Sequence, residues 1–216
     1  MNQLTYLFSA MEMIGTIAFA VSGVMVAIEE ELDIMGALVL GCITATGGGA
    51  LRDVLIGHFP PVLFTSPRYI LVAAVVSIGT YVVALLLKDR FVQQMHRLDP
   101  FVNALDALGL GIFVTVGVDA CFEAGFSGNA FLCIFIGTIT GVGGGIFRDL
   151  LAMRVPMVLK KHVYAAIAIA GAILYYVLLR LGLNATLSMF PPVIAVTVLR
   201  ILAAKYHWNL PRIHRA

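Results

Sequence analysis

Charged residues are scarce in this chain. Of its 216 residues, 61% are apolar and 12% are charged, whereas soluble domains carry about a quarter charged residues. Too few charges remain to cover a water-facing surface, so lipid is the expected solvent. The net charge of +2 is small, and no run of basic residues alternates with aromatics, which excludes nucleic acid as an expected partner.

Cysteine is also rare, and its positions follow no metal-binding pattern. Cys42, Cys121 and Cys133 are odd in number and show no CxxC spacing. We therefore expect small buried apolar residues, with neither a disulfide framework nor a zinc site. The N-terminus lacks the basic segment and the cleavage site of a signal peptide, so the first apolar stretch is expected to remain as a spanning helix.

The signatures of soluble enzymes are missing as well. The segment Gly141–Ile146 departs from GxGxxG at its last position, and no strand precedes it. No lysine follows the glycines as a P-loop requires, and HExxH and GxSxG do not occur. We expect no enzymatic activity, no catalytic residues, no bound metal and no cofactor.

Long apolar runs dominate what is present. A helix needs about 20 apolar residues to cross the hydrocarbon core, and seven stretches meet that length approximately. The sequence therefore predicts an all-α integral membrane protein with one transmembrane domain over residues 1–216. The predicted spans are about Leu4–Ile28, Ile34–Gly57, Arg68–Leu87, Phe101–Phe122, Asn129–Val155, His162–Leu181 and Ala185–Ala204.

The basic residues predict the orientation. Assigned to the nearer loop, eleven lysines and arginines fall on the side of the C-terminus and three on the side of the N-terminus. Because cytoplasmic loops carry the excess of basic residues, we expect a multi-pass protein of the inner (plasma) membrane, with the N-terminus outside and the C-terminus cytoplasmic. A short basic tail, 205–216, suits a leaflet of anionic lipid.

The chain contains an internal repeat. Gly47–Leu55 (GGGALRDVL) recurs 96 residues later as Gly143–Leu151 (GGGIFRDLL). At similar offsets Glu12 matches Asp106, in an acid-x-x-glycine pattern, and a tyrosine in span three matches one in span six. Repeat one covers about 4–88, repeat two about 100–182, and an extra helix of about 185–204 lies outside both. Each repeat has three spans, so the second copy is predicted to be inverted in the membrane.

Both copies of the repeated motif begin with a glycine triplet inside an apolar span. Gly47, Gly48 and Gly49 interrupt span two, and Gly143, Gly144 and Gly145 interrupt span five. Glycine has low helix propensity, and exposed backbone is tolerated at membrane depth only inside protein or beside a wet cavity. We therefore predict that spans two and five are broken at the triplets and that the breaks face the protein interior.

Charged residues inside the spans are candidate functional residues, because a lone charge at the bilayer centre costs at least about 2.5–3.5 kcal/mol. They line or gate a pathway in one interpretation and anchor the helices in register in another, and the two roles are compatible. Asp119 and Glu123, at the end of span four, are expected to be ordinary loop charges. The candidates are Arg52, Asp53, Arg148, Asp149, Glu12 and Asp106.

Threonine hydroxyls precede both triplets. They either line a path for a cation or bond carbonyl groups released by the breaks, and the second role is the safer expectation. The four residues are Thr44, Thr46, Thr138 and Thr140.

Two GGGxxRD motifs in a chain of three plus three plus one spans resemble the trimeric intracellular cation channel family, in its prokaryotic branch. The likeness covers about residues 5–204. It implies a homotrimer in which each subunit holds its own pathway for monovalent cations, chiefly potassium, between helices two and five. Carried over, the helix breaks are Gly47–Gly49 and Gly143–Gly145, and the charged partners are the two Arg-Asp pairs.

Two further functions remain open from the sequence. Inverted repeats with broken helices are also a transporter architecture, so a secondary transporter of a small solute such as glycine is the alternative. A membrane scaffold without transport fits the buried charges poorly. Saturable, ion-coupled uptake would indicate the transporter, whereas unsaturated ion flux would indicate the channel. No TVGYG filter is present, so we expect modest ion selectivity.

Overall fold

The structure is a computed structural model that describes residues 3–160 and 163–208, and within these residues it is all-helical. Seven helices are long, and three, α3, α7 and α9, have four residues each. The helices are α1 Gln3–Glu29, α2 Ile34–Leu55, α3 Val62–Thr65, α4 Arg68–Leu86, α5 Lys88–Glu123, α6 Ala130–Leu151, α7 Met157–Lys160, α8 Tyr164–Arg180, α9 Ala185–Ser188 and α10 Phe190–Lys205.

The long helices match the predicted spans. Within the described residues, six segments are long and apolar enough to cross a membrane, and α8 is a shorter apolar helix of 17 residues. The chain is therefore a multi-pass, all-α membrane protein. Residues 209–216 of the predicted basic tail lie outside the described residues.

Two helix ends differ from the predicted ones. Helix α5 begins at Lys88 and continues through Pro100, so its spanning part is only its second portion. Helix α6 ends at Leu151, four residues before the predicted end, because Met153 adopts a left-handed conformation with φ +56°. A residue in that conformation ends a helix.

Helices α2 and α6 begin and end in the same way, 96 residues apart. The Asp33 carboxylate accepts a hydrogen bond of 2.8 Å from the Gly36 N–H, and the Asn129 side chain accepts one of 3.0 Å from the Leu132 N–H. Such caps satisfy backbone donors that lack a partner in the first turn. Past the other end, Gly57 and Met153 both have positive φ. Equivalent local signals therefore set the limits of both helices.

The predicted breaks at the glycine triplets are wrong. Helices α2 and α6 run without interruption through Gly47–Gly49 and Gly143–Gly145. The glycines instead let the two helices cross in close contact: a Cβ on Gly48 would overlap the carbonyl oxygen of Thr140, and one on Gly144 would overlap that of Thr44. Small residues permit such an approach of two backbones in a membrane. The triplets therefore form a helix crossing.

Glycines also allow the last helix to pack closely against its neighbours. A Cβ on Gly111 of α5 would lie 2.8 Å from the Val193 carbonyl oxygen, and one on Gly171 of α8 would overlap the Val196 side chain. Helix α10 thus packs against α5 and α8, and these helices together with α6 supply most of the largest buried cluster. By contrast α4 exposes much of its apolar surface, as expected for a helix in contact with lipid.

The expectation that the cysteines form no disulfide is wrong, although two of the three are buried as expected. Cys121 near the end of α5 and Cys133 near the start of α6 form a disulfide, with their Cα atoms 5.3 Å apart. A short turn between the two helices brings the pair within the range that a disulfide requires. Cys42 is a free thiol.

Candidate functional site

Each repeat gathers an acid, an Arg-Asp pair and a tyrosine from three helices. The first cluster comes from α1, α2 and α4, and the second comes from α5, α6 and α8. Every charged candidate named from the sequence belongs to one of the two. The first cluster is Glu12, Arg52, Asp53 and Tyr69, and the second is Asp106, Arg148, Asp149 and Tyr164.

In the first cluster the arginine and its neighbouring aspartate form a tight pair. Arg52 Nε donates to Asp53 Oδ1 at 2.9 Å, and Asp53 Oδ2 accepts from the backbone N–H of Val62, the first residue of α3. The Tyr69 hydroxyl donates to Glu12. Arg52 Nη1 lies 3.8 Å from Glu12 Oε1. Asp53 therefore joins the end of α2 to the start of α3, while Glu12 bonds Tyr69 and has only a long contact with Arg52.

The second cluster repeats this pattern, with a shorter contact between the arginine and the acid of the other helix. Arg148 Nε donates to Asp149 Oδ1 at 2.9 Å, and Asp149 Oδ2 accepts from the backbone N–H of Met157, the first residue of α7. The Tyr164 hydroxyl donates to Asp106 at 2.9 Å. Arg148 Nη1 lies 2.8 Å from Asp106 Oδ1. The acid and the arginine are therefore in direct contact here.

Two residues add contacts to the second cluster. Arg148 Nη1 also donates to the Ser22 hydroxyl of α1 at 2.7 Å. The guanidinium of Arg200, from α10, lies over the Tyr164 ring at 4.2 Å from its centroid. Among the described residues, Arg148 Nη2 is buried without a hydrogen-bond partner. The second cluster thus links six helices, which are α1, α5, α6, α7, α8 and α10.

The two clusters differ in how much of their side chains is exposed. The side chain of Glu12 is 24% exposed and that of Arg52 is 9% exposed, whereas those of Asp106 and Arg148 are each 1% exposed. A charge pair cut off from water depends much more on its partners than one in contact with water. The first cluster is therefore half-open, and the second is sealed.

A cavity of about 500 Å³ opens onto the first cluster. We call it the vestibule. Its charged lining residues are Glu12, Asp53, Asp119 and Glu123 together with Arg52 and Arg68. The expectation that Asp119 and Glu123 are loop residues is wrong, because both belong to α5, and both line this cavity. Carboxylates in a concave site raise the local cation concentration.

A smaller cavity of about 40 Å³ lies beside the first cluster. Thr16, Thr46, Gly49 and Phe113 line it together with residues of the first cluster. A cavity needs about 10–15 Å³ of this kind of volume to hold one water. The small cavity therefore has room for a few water molecules or one partly hydrated ion.

Two phenylalanines lie between the clusters. The rings of Phe19 and Phe113 have their centroids 5.2 Å apart. Each ring occupies space that a glycine leaves, since a Cβ on Gly15 would lie 3.0 Å from Phe113 and one on Gly109 would overlap Phe19. On α1, Phe19 falls between the positions of Glu12 and Ser22, which are about 15 Å apart at 1.5 Å per residue. The aromatic pair thus separates the small cavity from the second cluster.

The threonine hydroxyls bond their own helices. Each of the four donates to the carbonyl group four residues earlier, at 2.6–2.8 Å, and none bonds a carbonyl released by a break. Thr46 also lines the small cavity. Among the described residues, no group of three or more His, Cys, Asp or Glu side chains is arranged to hold a metal ion.

Sequence reasoning missed several residues of this site. Tyr69 and Tyr164 gave a signal as matching positions of the repeat, but their bonds to the acids were not foreseen. Ser22 and Arg200 gave none, because neither recurs in the other repeat. The paired aromatics recur as Phe19 and Phe113, so a full comparison of spans one and four would have found them.

Comparison with known proteins adds three findings. A family model described as a glycine transporter matches the chain twice, over residues 9–85 and 103–180. The Escherichia coli K12 protein described as UPF0126 inner membrane protein YadS is 38% identical over 205 residues, which are 93% of each chain. The Bacillus subtilis UPF0126 membrane protein YvgT is 37% identical over 203 residues, which are 93% of this chain and 94% of that protein.

Comparison with solved structures identifies proteins that share this fold. One described as showing the structural basis for conductance through TRIC cation channels has a TM-score of 0.83 and 32% identity, and covers 97% of this chain and 98% of its own. The TRIC orthologue from Rhodobacter sphaeroides has a TM-score of 0.81 and 29% identity, and covers 92% and 97%. These neighbours are channels, not enzymes. The chain therefore belongs to the trimeric intracellular cation channel family, whose fold it shares along nearly its whole length.

Proposed function

We propose that the protein is a channel for monovalent cations, chiefly potassium. The observation that carries this proposal is the vestibule, which four acidic residues line and which shares residues of the first cluster with a small cavity beside Thr16 and Thr46. Carboxylates at a pore mouth favour cations. The close structural similarity to solved cation channels supports the same function.

The proposed pathway runs inside one subunit, from the vestibule past the first cluster and the aromatic pair to the second cluster. Helices α2 and α6 cross along this line, with α1 and α5 beside them. In this arrangement the two Arg-Asp pairs serve both roles left open by the sequence, anchoring the helices and lining the pathway. They pin the helix ends to α3 and α7, and they stand beside the path of the ion.

The remaining parts of the proposal concern assembly and topology. We propose a homotrimer with one pathway in each subunit, in the inner membrane, with no cofactor and with lipid around α4. The two repeats are inverted relative to one another, and the N-terminus is outside and the C-terminus cytoplasmic. Matching contacts in the two repeats and the eleven-to-three distribution of basic residues support this orientation.

One observation favours a second function. The vestibule holds guanidinium groups as well as carboxylates, a combination that would bind both ends of a zwitterion such as glycine, and the matching family model is described as a glycine transporter. A transporter of a small amino acid is therefore the alternative. It predicts saturable uptake that depends on a coupled ion.

Potassium flux in proteoliposomes tests the proposal. A potassium gradient, a proton ionophore and an internal pH dye report flux through the purified full chain, with empty vesicles as the baseline. Asp119→Asn and Glu123→Gln together replace two carboxyl groups of the vestibule with amides. We expect flux to fall about threefold to tenfold at 10 mM salt and less than about twofold at 500 mM, because salt screens the attraction.

A matched control is Glu29→Gln with Glu30→Gln, which removes two carboxylates at the far end of α1 that pair with Arg154. This variant should retain the salt dependence of the unchanged protein. If flux is no greater than that of empty vesicles and labelled glycine is taken up saturably, the channel proposal is rejected in favour of the transporter.

A further inference from the structure

Among the described residues, the tyrosine of the second cluster has a cationic partner from another helix, and the tyrosine of the first cluster does not. Arg200 comes from α10, its guanidinium lies 4.2 Å from the centroid of the Tyr164 ring, and both residues are buried. Tyr69 of the first cluster also has a guanidinium near its ring, but that group belongs to Arg68, the preceding residue of the same helix, at 5.0 Å. Only the second tyrosine is therefore linked to another helix in this way.

Helix α10 lies outside both repeats, so the first cluster has no equivalent of it. The helix is seated at the glycines of α5 and α8 described above. Its one arginine is 2% exposed and close to the cluster. A guanidinium is always charged and stacks well on an aromatic face, and burying it at membrane depth is costly unless it has such contacts. The side chain is therefore held where it meets the ring.

We propose that Arg200 is a positioning residue that keeps the second cluster closed, so that α10 sets how often the pathway opens. This inference rests on the proposed channel function. Contacts run from Arg200 to the Tyr164 ring, from the Tyr164 hydroxyl to Asp106 at 2.9 Å, and from Asp106 to Arg148 at 2.8 Å. The last step reaches α1, through the bond of Arg148 to Ser22.

The physical basis is the orientation of the tyrosine ring. A cation above the ring face holds the ring in place, and the hydroxyl then points at Asp106. Without the guanidinium, the ring is freer to turn and the bond to Asp106 weakens. The closed arrangement of the cluster then loses population relative to an open one.

Single-channel recording in planar bilayers with potassium chloride tests this role. For Arg200→Gln we expect the open probability to rise about threefold to thirtyfold, the range that loss of one desolvated cation–π contact gives. The unitary conductance should not change, because Arg200 acts through Tyr164. Lys205→Gln is the matched control, since Lys205 also lies over a ring, that of Tyr206 at 5.5 Å, on the same helix but away from both clusters. Its open probability should equal that of the unchanged protein.

Two more variants separate positioning from a merely structural role. Arg200→Lys keeps a cation near the ring and should return the open probability to within about twofold of the unchanged protein. Tyr164→Phe keeps the ring and removes the hydroxyl, so it should raise the open probability by itself. Adding Arg200→Gln to Tyr164→Phe should then have little further effect, because both changes break the same chain of contacts.

Several results would overturn the inference. An unchanged or lowered open probability in Arg200→Gln would do so, as would a change confined to the unitary conductance, or effects that add in the double variant. If Arg200→Gln does not fold, Tyr164→Phe decides, and an open probability equal to that of the unchanged protein rejects the inference. If the unchanged protein and all variants carry no current, the channel function itself fails and the inference fails with it.

Discussion

The two clusters have the same kinds of residue and the same pattern of contacts, yet they differ in burial. In each, an arginine bonds the following aspartate, and that aspartate bonds the first N–H of a four-residue helix. Around the first cluster lies a cavity of about 500 Å³, and Glu12 is 24% exposed. In the second cluster the equivalent acid, Asp106, is 1% exposed.

Three differences in sequence account for this contrast. Glu12 has the longer side chain and remains 3.8 Å from its arginine, whereas Asp106 is in contact with its arginine at 2.8 Å. Ser22 bonds Arg148, while Val116, the corresponding residue of α5, offers no hydroxyl. Finally, α10 brings Arg200 to the second cluster alone. A repeated motif thus yields an open cavity beside one cluster and a sealed contact in the other.

Removing the acid from each cluster should produce the largest difference between them. Asp106→Asn leaves Arg148 buried with one carboxylate fewer, and we expect a loss of about 3–5 kcal/mol in the free energy of unfolding in detergent micelles. Glu12→Gln affects a pair that is partly in water, so we expect a loss of at most about 1 kcal/mol. Equal losses would show that the two clusters are buried alike.

The helix crossing gives the next largest effect. A Cβ on Gly144 would overlap the Thr44 carbonyl oxygen, whereas one on Gly145 would have ordinary contacts at 3.7 Å. We expect Gly144→Ala to lower the free energy of unfolding by about 3 kcal/mol or more and Gly145→Ala to change it by less than about 0.5 kcal/mol. Thermal unfolding in detergent measures both. If the triplet formed a break, the two glycines would tolerate alanine equally.

The hydroxyl found only at the second cluster should have a smaller effect. Ser22→Ala removes a hydrogen bond to the charged Arg148, and we expect a loss of about 1.5 kcal/mol in the same unfolding measurement. Ser77→Ala is the control, since Ser77 is also buried but donates to the Ala73 carbonyl of its own helix. A loss for Ser22→Ala no greater than for the control would remove Ser22 from the explanation of the contrast.

The smallest expected change is a gain in stability. Gly57 and Met153 end α2 and α6 at equivalent positions with positive φ, and Met153 is exposed. The left-handed conformation costs a residue with a Cβ about 1–2 kcal/mol, and glycine adopts it freely. Because glycine also loses more entropy on folding, we expect Met153→Gly to raise the free energy of unfolding by about 0.5–1 kcal/mol. A lower melting temperature than that of the unchanged protein would show that Met153 makes contacts that outweigh the backbone strain.

Much of the fold followed from the sequence. Six of the predicted spans match helices that are long enough to cross a membrane, and the seventh matches the shorter α8. Arg52 and Arg148 each bond the aspartate that follows them in the motif, because an unpaired charge is so costly at membrane depth that the adjacent acid is the natural partner.

What could not be predicted depends on which residues face one another across helices. A glycine triplet has the same sequence whether it breaks a helix or lets another helix approach, and only the position of α6 against Gly48 decides between the two. In the same way, Cys121 and Cys133 pair because a turn brings two helix ends together. Arg200 reaches Tyr164 because of how α10 is seated, which no repeat in the sequence records.

The most direct test of the contrast is the access of water to equivalent positions in the two clusters. Gly49 lines the small cavity and Gly145 lies beside Tyr164, and a Cβ at either position has only ordinary contacts. In a Cys42→Ala background, with the Cys121–Cys133 disulfide intact, Gly49→Cys and Gly145→Cys are each treated with a water-soluble maleimide in detergent. We expect Gly49→Cys to react at least about tenfold faster than Gly145→Cys. This ratio corresponds to a difference of about 1.4 kcal/mol or more between the two sites in the free energy of opening to water. Equal rates would contradict the conclusion that one cluster is open to water and the other is sealed.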